Sequence, residues 1–232
     1  MNYFLDTCVG LGYVFCTNPW NDKSEHLFNK EATFYISYCV GKELNKKYND
    51  ILKQQKNFLY TLRDKLENES PSKTLTLTNL KTISVTIGLQ RDFDDNLKEE
   101  AVQVLWKRCK TKHVYDSQLK EEVCSVKELL KYIKKFIRGF EIKVTSRLLD
   151  FKREVIETEK RNNTYNDLNE KLLNDVEIHY PDNCIILDAH DLSLKDGINL
   201  NFISADKKMI ENVRDIVALL SIDNFYYLKD FC

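Results

Sequence analysis

Four acidic residues stand where an apolar strand gives way to a helix, or where a helix begins: Asp6, Glu43, Asp182 and Asp206. Carboxylates are hard oxygen donors, and with no thiolate or imidazole among them the matching cation is Mg²⁺ or Mn²⁺, held partly through water. Two carboxylates ~4 Å apart repel by roughly 1 kcal/mol in water and by about 4 kcal/mol at an effective dielectric near 20. Four gathered at a partly buried rim therefore need protons or cations beside them. A cation in such a place can activate a water, orient a phosphodiester and stabilise a leaving oxygen. Taken singly, Asp6, Asp182 and Asp206 also serve as helix N-caps worth about 1 kcal/mol each, and Glu43 as a solvated helix residue. The joint placement is what points to a shared site.

The elements that would position these acids follow from the spacing of apolar residues. Asn2-Tyr3-Phe4-Leu5 reads as a minimal strand ended by Asp6, with a helix over Thr7 to Phe15. Thr33 to Ser37 repeats the pattern, followed by a helix that carries Glu43 on its second turn. Asp182 opens the apolar run Cys184-Ile185-Ile186-Leu187-Ala189. Leu200 to Ala205 is a buried strand that Asp206 terminates, and Lys207 to Leu220 returns to helical spacing. In an open parallel sheet the carboxyl ends of strands and the N-termini of helices converge, and ligands bind there.

Between these parts, Asn18 to Asp22 is a turn cluster that starts a short helix, and Leu44 to Glu69 is helical up to the break at Ser70-Pro71-Ser72. Thr74 to Leu89 matches both a strand and a helix template. Helices are predicted over Asp95–Lys110, Ser117–Phe140, Glu141–Arg161 and Tyr165–Asp175. The expected division is a core of residues 1–45 plus 165–232 and a mostly helical insertion, 46–164.

Composition sets the outer bounds. The 232 residues can bury a real core, and 35 basic against 36 acidic side chains give a net charge of −1. That balance does not announce nucleic acid, and it does not exclude a local basic surface. A mean hydropathy of −0.45 and no apolar run near membrane length predict a soluble chain. The N-terminus lacks the pattern of a signal peptide, so a cytoplasmic protein with no membrane partner is expected. Seven cysteines without a Cys-x-x-Cys pair read as reduced, buried thiols, and a structural zinc site is not expected. Asp188 is read as a supporting polar residue, and His179 and His190 as surface groups or neighbours of the site.

The motifs Tyr3-Phe4-Leu5-Asp6-Thr7, Ile36 to Leu44 with Glu43, Asp182 to Ala189, and Phe202-Ile203-Ser204-Ala205-Asp206 together resemble those of PIN-domain nucleases. The resemblance covers about half the chain and rests on four short motifs in the right order. It implies a PIN-like α/β fold, a central parallel sheet flanked by helices, here with a large helical insertion outside the family's compact plan. It also implies a Mg²⁺- or Mn²⁺-dependent ribonuclease that leaves a 5′-phosphate and a 3′-hydroxyl. Asp6 and Asp206 would be the principal ligands, with Glu43 and Asp182 completing the set and Thr7 and Ser204 in support. Cys8 departs from the family pattern, standing where many members have a small polar residue.

The insertion carries the clearest substrate clue. Lys127, Lys131, Lys134 and Arg138 fall on one helical stripe with Lys135 beside it, opposite Leu129, Leu130, Ile133, Phe136, Ile137 and Phe140. A solvated amphipathic face explains this, and so does a surface that holds an RNA backbone by its phosphates. Alternatives to an RNA-cleaving enzyme are a non-cleaving scaffold of the same fold and the toxin of a toxin–antitoxin pair; a protein inhibitor or a homodimer partner would fit. A phosphatase of the haloacid dehalogenase type ranks lower, because Cys8 stands where that class requires a second Asp.

Overall fold

The computed structural model describes residues 1–89 and 95–231. In chain order the elements are β1 (Asn2–Leu5), α1 (Thr7–Val14), α2 (Asn21–Phe28), β2 (Thr33–Ile36), α3 (Tyr38–Glu67), β3 (Thr74–Thr76), α4 (Leu77–Leu89) and α5 (Asp95–Arg108). They continue with β4 (Val114–Asp116), β5 (Glu121–Ser125), α6 (Val126–Glu154), β6 (Val155–Glu157), α7 (Asn166–Asn174), α8 (Asp182–Asp196), β7 (Leu200–Ser204), α9 (Lys207–Val213) and β8 (Asn224–Tyr227). Contacts divide them into two compact units. One comprises residues 1–16, 20–48 and the chain from Arg147 onward; the other comprises 17–19 and 49–146.

The first unit is built on a five-stranded sheet in the order β6-β2-β1-β7-β8, with every pairing parallel. The fold is α/β, as the alternation of short apolar strands and helices predicts. Central strands of a parallel sheet are buried on both faces, and Leu200, Phe202 and Ile203 are accordingly fully buried, with Phe4 stacked on Phe202 at 6.1 Å. Two glycines in α1 permit close packing. A Cβ on Gly12 would lie 2.6 Å from Ser24 Oγ, and one on Gly10 would press on the Phe151 ring. Gly197 ends α8 at φ +61°, the left-handed conformation that glycine adopts without strain.

The order of the strands fixes where the sheet reverses direction of winding. From β1 the chain moves to β2 on one side and on to β6, then returns to the other side of β1 to form β7 and β8. The topological switch therefore lies between β1 and β7, at the ends that carry Asp6 and Asp206.

Two short edge strands, β6 and β8, are absent from the sequence reading. β6 lies inside the helix expected over Glu141–Arg161; that helix stops at Glu154, where the β-branched pair Val155-Ile156 joins β2 instead. Residues 147–164, grouped with the insertion on sequence grounds, thus fall in the unit that holds this sheet.

The second unit holds helices and a small antiparallel sheet, β3-β5-β4. The segment from Thr74 satisfies both of its templates in turn, as strand β3 and then helix α4. The helix expected from Ser117 is a correction. Asp116 Oδ1 accepts hydrogen bonds from the amides of Gln118 and Leu119, and Lys120 adopts φ 55°, so the chain turns back into β5. The helix begins only at Val126 and runs unbroken to Glu154, because Leu129, Ile133, Phe140, Val144 and Phe151 form one buried stripe. Likewise, the helix after Asp206 ends at Val213 and tightens into a 3-10 segment, Arg214–Leu219. Among the described residues, no helix is long and apolar enough to cross a membrane.

Candidate functional site

Asp6 is the best-fixed of the four acids. It follows β1 directly, its amide donates to Ile203 O of the neighbouring strand, and it caps α1. The carboxylate is buried and takes three donors: Thr7 N on Oδ1 at 2.6 Å, and Ser204 Oγ and Cys8 Sγ on Oδ2, each at 2.7 Å. Of roughly four acceptor positions on a carboxylate, these donors leave about one. Burial pushes the Asp6 carboxyl up from its ordinary range; the three donors pull it back, and the Glu43 charge raises it further. Cys8, the departure from the family pattern, acts as a donor to Asp6 and accepts from Ala205 N at 3.0 Å. Burial and the adjacent Asp6 push its thiol well above the ordinary range, which keeps it a neutral donor.

Ser204 ties β7 into the same corner. While it donates to Asp6, its Oγ accepts from Asp206 N at 2.8 Å. Asp206 in turn caps α9 by accepting from Met209 N at 3.0 Å, and it is exposed. Glu43 arrives from α3, whose start is capped by Ser37 Oγ accepting from Val40 N. Thr7 Oγ1 donates to Glu43 Oε2 at 2.6 Å, and Lys47 pairs with Glu43 Oε1 at 2.6 Å. Thr7 therefore links Asp6 to Glu43 through its own amide and hydroxyl.

Asp182 differs from the capping role that it shares with Asp6 and Asp206 in the sequence reading. Pro181 holds the cap position without a side-chain hydrogen bond, and Asp182 is the first residue of α8. Its carboxyl is pushed up to about 6, first by burial and then by the charges of Asp6, Asp206 and Glu43, with Lys47 opposing. Four carboxylates from four separate elements therefore share one electrostatic neighbourhood. Their oxygens are not packed as tightly as a direct ligand shell: among the described residues, the one group of three potential ligands with donor atoms within 4.8 Å of one another is Cys109, His113 and Cys124. An ion among the acids would be bridged in part by water, which suits Mg²⁺ because it sheds its hydration reluctantly.

Comparison with protein-family models, with curated proteins and with solved structures finds no match. The chemistry of the site rests on its own residues.

The remaining candidates separate. Asp188 is buried, which pushes its carboxyl up; its ion pair with Arg161 opposes that push first, and hydrogen bonds from Ser37 and Cys39 oppose it further. This pair holds the segment after β6 to α8; the sequence gives no periodic signal for Arg161. His190 is a correction: it is buried, and its Nδ1 accepts from Ser221 N at 2.9 Å, so it is a satisfied core histidine. His179 is exposed. Lys127, Lys131, Lys134, Lys135 and Arg138 all lie exposed on α6, with Lys134 paired to Glu67 at 2.7 Å.

Proposed function

We propose that Asp6, Glu43, Asp182 and Asp206 hold Mg²⁺ or Mn²⁺ and that the protein hydrolyses RNA phosphodiester bonds in the manner of a PIN-like nuclease. The supporting observation is position: Asp6 and Asp206 end adjacent parallel strands at the switch point of the sheet, where open α/β folds bind ligands. The donor set fits a hard cation, since it is all oxygen and Asp6 keeps acceptor capacity beyond its three hydrogen bonds. When bound, the ion supplies Lewis acidity to a phosphoryl oxygen and a lowered pKa for water.

The chain's own residues do the rest. Asp6 is held in one orientation by Thr7, Cys8 and Ser204, so little rearrangement accompanies binding. Asp206, exposed at the rim, is open to the substrate side. Asp182, whose carboxyl is pushed up by burial and by the charges of Asp6, Asp206 and Glu43, gains the most from a cation beside it. Thr7 keeps Glu43 turned toward the other acids. The basic face of α6 binds the RNA backbone without reading its sequence.

The test uses purified protein with single-stranded and structured RNA, in Mg²⁺ or Mn²⁺ and in chelator, beside Asp6→Asn and Asp206→Asn. Metal-dependent cleavage to 5′-phosphate ends is expected, falling at least ~10²-fold in each variant, since even outer partners of a metal site cost 10–100-fold. Cleavage that survives both substitutions, or RNA left intact by the folded parent in either metal, would overturn the proposal.

A further inference from the structure

The second unit contains a different donor set that no Cys-x-x-Cys search would find. Cys109 follows α5, three residues form a 3-10 turn (Lys110–Lys112), and His113 leads into β4. Eleven residues on, the hairpin returns Cys124 on β5. The antiparallel register pairs Val114 with Val123, so the next pair outward is His113 opposite Cys124, and cross-strand partners project from the same face. Cys109 N is bonded back to Leu105 O and Trp106 O, fixing the thiol at the end of the helix.

The geometry suits a soft metal ion. The Cys109 and Cys124 sulfurs lie 4.0 Å apart, close to the ~3.8 Å that separates two sulfurs at 2.3 Å from a tetrahedral zinc. One ligand atom from each of the three residues falls within 4.8 Å of the others. Both cysteines are buried, and neither is in a disulfide.

His113 provides an independent observation. Its side chain is only 3% exposed and packs against the Trp106 ring at 4.2 Å. Nδ1 is committed to Glu122 Oε2 at 3.2 Å, while Nε2 is buried without any hydrogen-bond partner. A buried, unpaired ring nitrogen is costly unless something fills its lone pair. A carboxylate on one ring nitrogen is the usual outer partner of a metal-bound imidazole, fixing the tautomer that leaves the other nitrogen free to ligate.

We infer that Cys109, His113 and Cys124 bind one Zn²⁺ ion, with Glu122 as the outer partner of His113 and water in the fourth position. Thiolate and imidazole donors select zinc over the hard cations proposed for the acidic site. The ion joins the end of α5 to the β4–β5 hairpin, so binding energy becomes folding energy for this unit.

The test is made on the full chain, stripped with chelator under reducing conditions, reconstituted with Zn²⁺ or Co²⁺ and desalted. One zinc per chain by elemental analysis is expected, as is a thiolate-to-cobalt charge-transfer band with the visible bands of a tetrahedral ion. Cys109→Ser and Cys124→Ser should each lose the charge-transfer band or halve it and weaken zinc retention. Glu122→Gln, a change at an exposed side chain, should weaken zinc affinity by ~10–100-fold. Zinc below one-tenth of an equivalent in the parent would overturn the assignment. So would zinc retention and cobalt spectra unchanged in both cysteine variants, or a thiol count showing the two cysteines oxidised together in protein purified under reducing conditions.

Discussion

The acidic corner and the thiol–imidazole corner are built from opposite materials. In the first, oxygen donors sit at the carboxyl ends of parallel strands and at helix starts, drawn together from Asp6, Glu43, Asp182 and Asp206, far apart in sequence. In the second, two sulfurs and a ring nitrogen come from one local stretch and are joined by an antiparallel hairpin. Among the described residues no three acids bring oxygens within 4.8 Å of one another, and three of the acids already have protein partners: donors to Asp6, Thr7 and Lys47 on Glu43, and the α9 amide on Asp206. The thiol–imidazole donors are close and one is buried without a partner. Sequence distance therefore says little about the kind of donor set that forms. What decides is whether the backbone converges donors by sheet topology or by a turn.

That difference can be sharpened with charge removal. Between about pH 4 and 6 the folded chain holds a proton on Asp182 that the unfolded chain has released. The stability tied to that proton is fully present below the ordinary carboxylate range and lost as pH rises through about 6. Without divalent cations, Asp182→Asn should therefore melt higher than the parent at about pH 7.5, with the gain shrinking toward pH 4. Asp182 is partly exposed, so screening limits the effect to about 1 kcal/mol, or ~2–4 °C. Mn²⁺ should reverse the order, because binding to the native state raises the parent's stability more. Melting by calorimetry in chelator and in Mn²⁺ checks this; a difference independent of pH would break the electrostatic account of the acidic corner. The thiol–imidazole corner should respond to zinc and leave this pH profile unchanged.

A smaller effect is expected on the basic face of α6. Lys131→Glu, Lys134→Glu and Arg138→Glu together should lower RNA affinity and reduce the slope of log affinity against log salt by about 2, for three phosphate contacts to a single strand. Lys134 already pairs with Glu67, so its share should be the smallest of the three. Unchanged affinity and slope would make the stripe a solvated face only.

The parts of this fold that were legible in the sequence share one property: a local apolar period interrupted by an acid or a turn residue. β1, β2 and β7 announce themselves because Phe4, Phe34 and Phe202 are flanked by other apolar residues and ended by Asp6, Ser37 and Asp206. The spacing of Leu129, Ile133 and Phe140 likewise marks α6, although its first residue depends on the Asp116 turn, which side-chain hydrogen bonds decide. The edge strands β6 and β8 are short and half-exposed, and what makes them strands is a neighbour distant in sequence. Arg161 and His190 carry no periodic signal at all; their roles follow from Asp188 and from Ser221 N, which only the folded chain brings to them. Cys109, His113 and Cys124 were invisible for the same reason, since the reversal at Lys120 is what turns an unpatterned spacing into a site.

A divalent cation held by Asp6 and Asp206 is tested by titrating Mn²⁺ calorimetrically at neutral pH into chelator-treated protein reloaded with zinc, beside Asp6→Asn and Asp206→Asn. Saturable binding in the parent, weakened at least ~10-fold in both variants, is the expected result. Equal Mn²⁺ binding by all three proteins, or none by the folded parent, would contradict a divalent-cation site at Asp6 and Asp206.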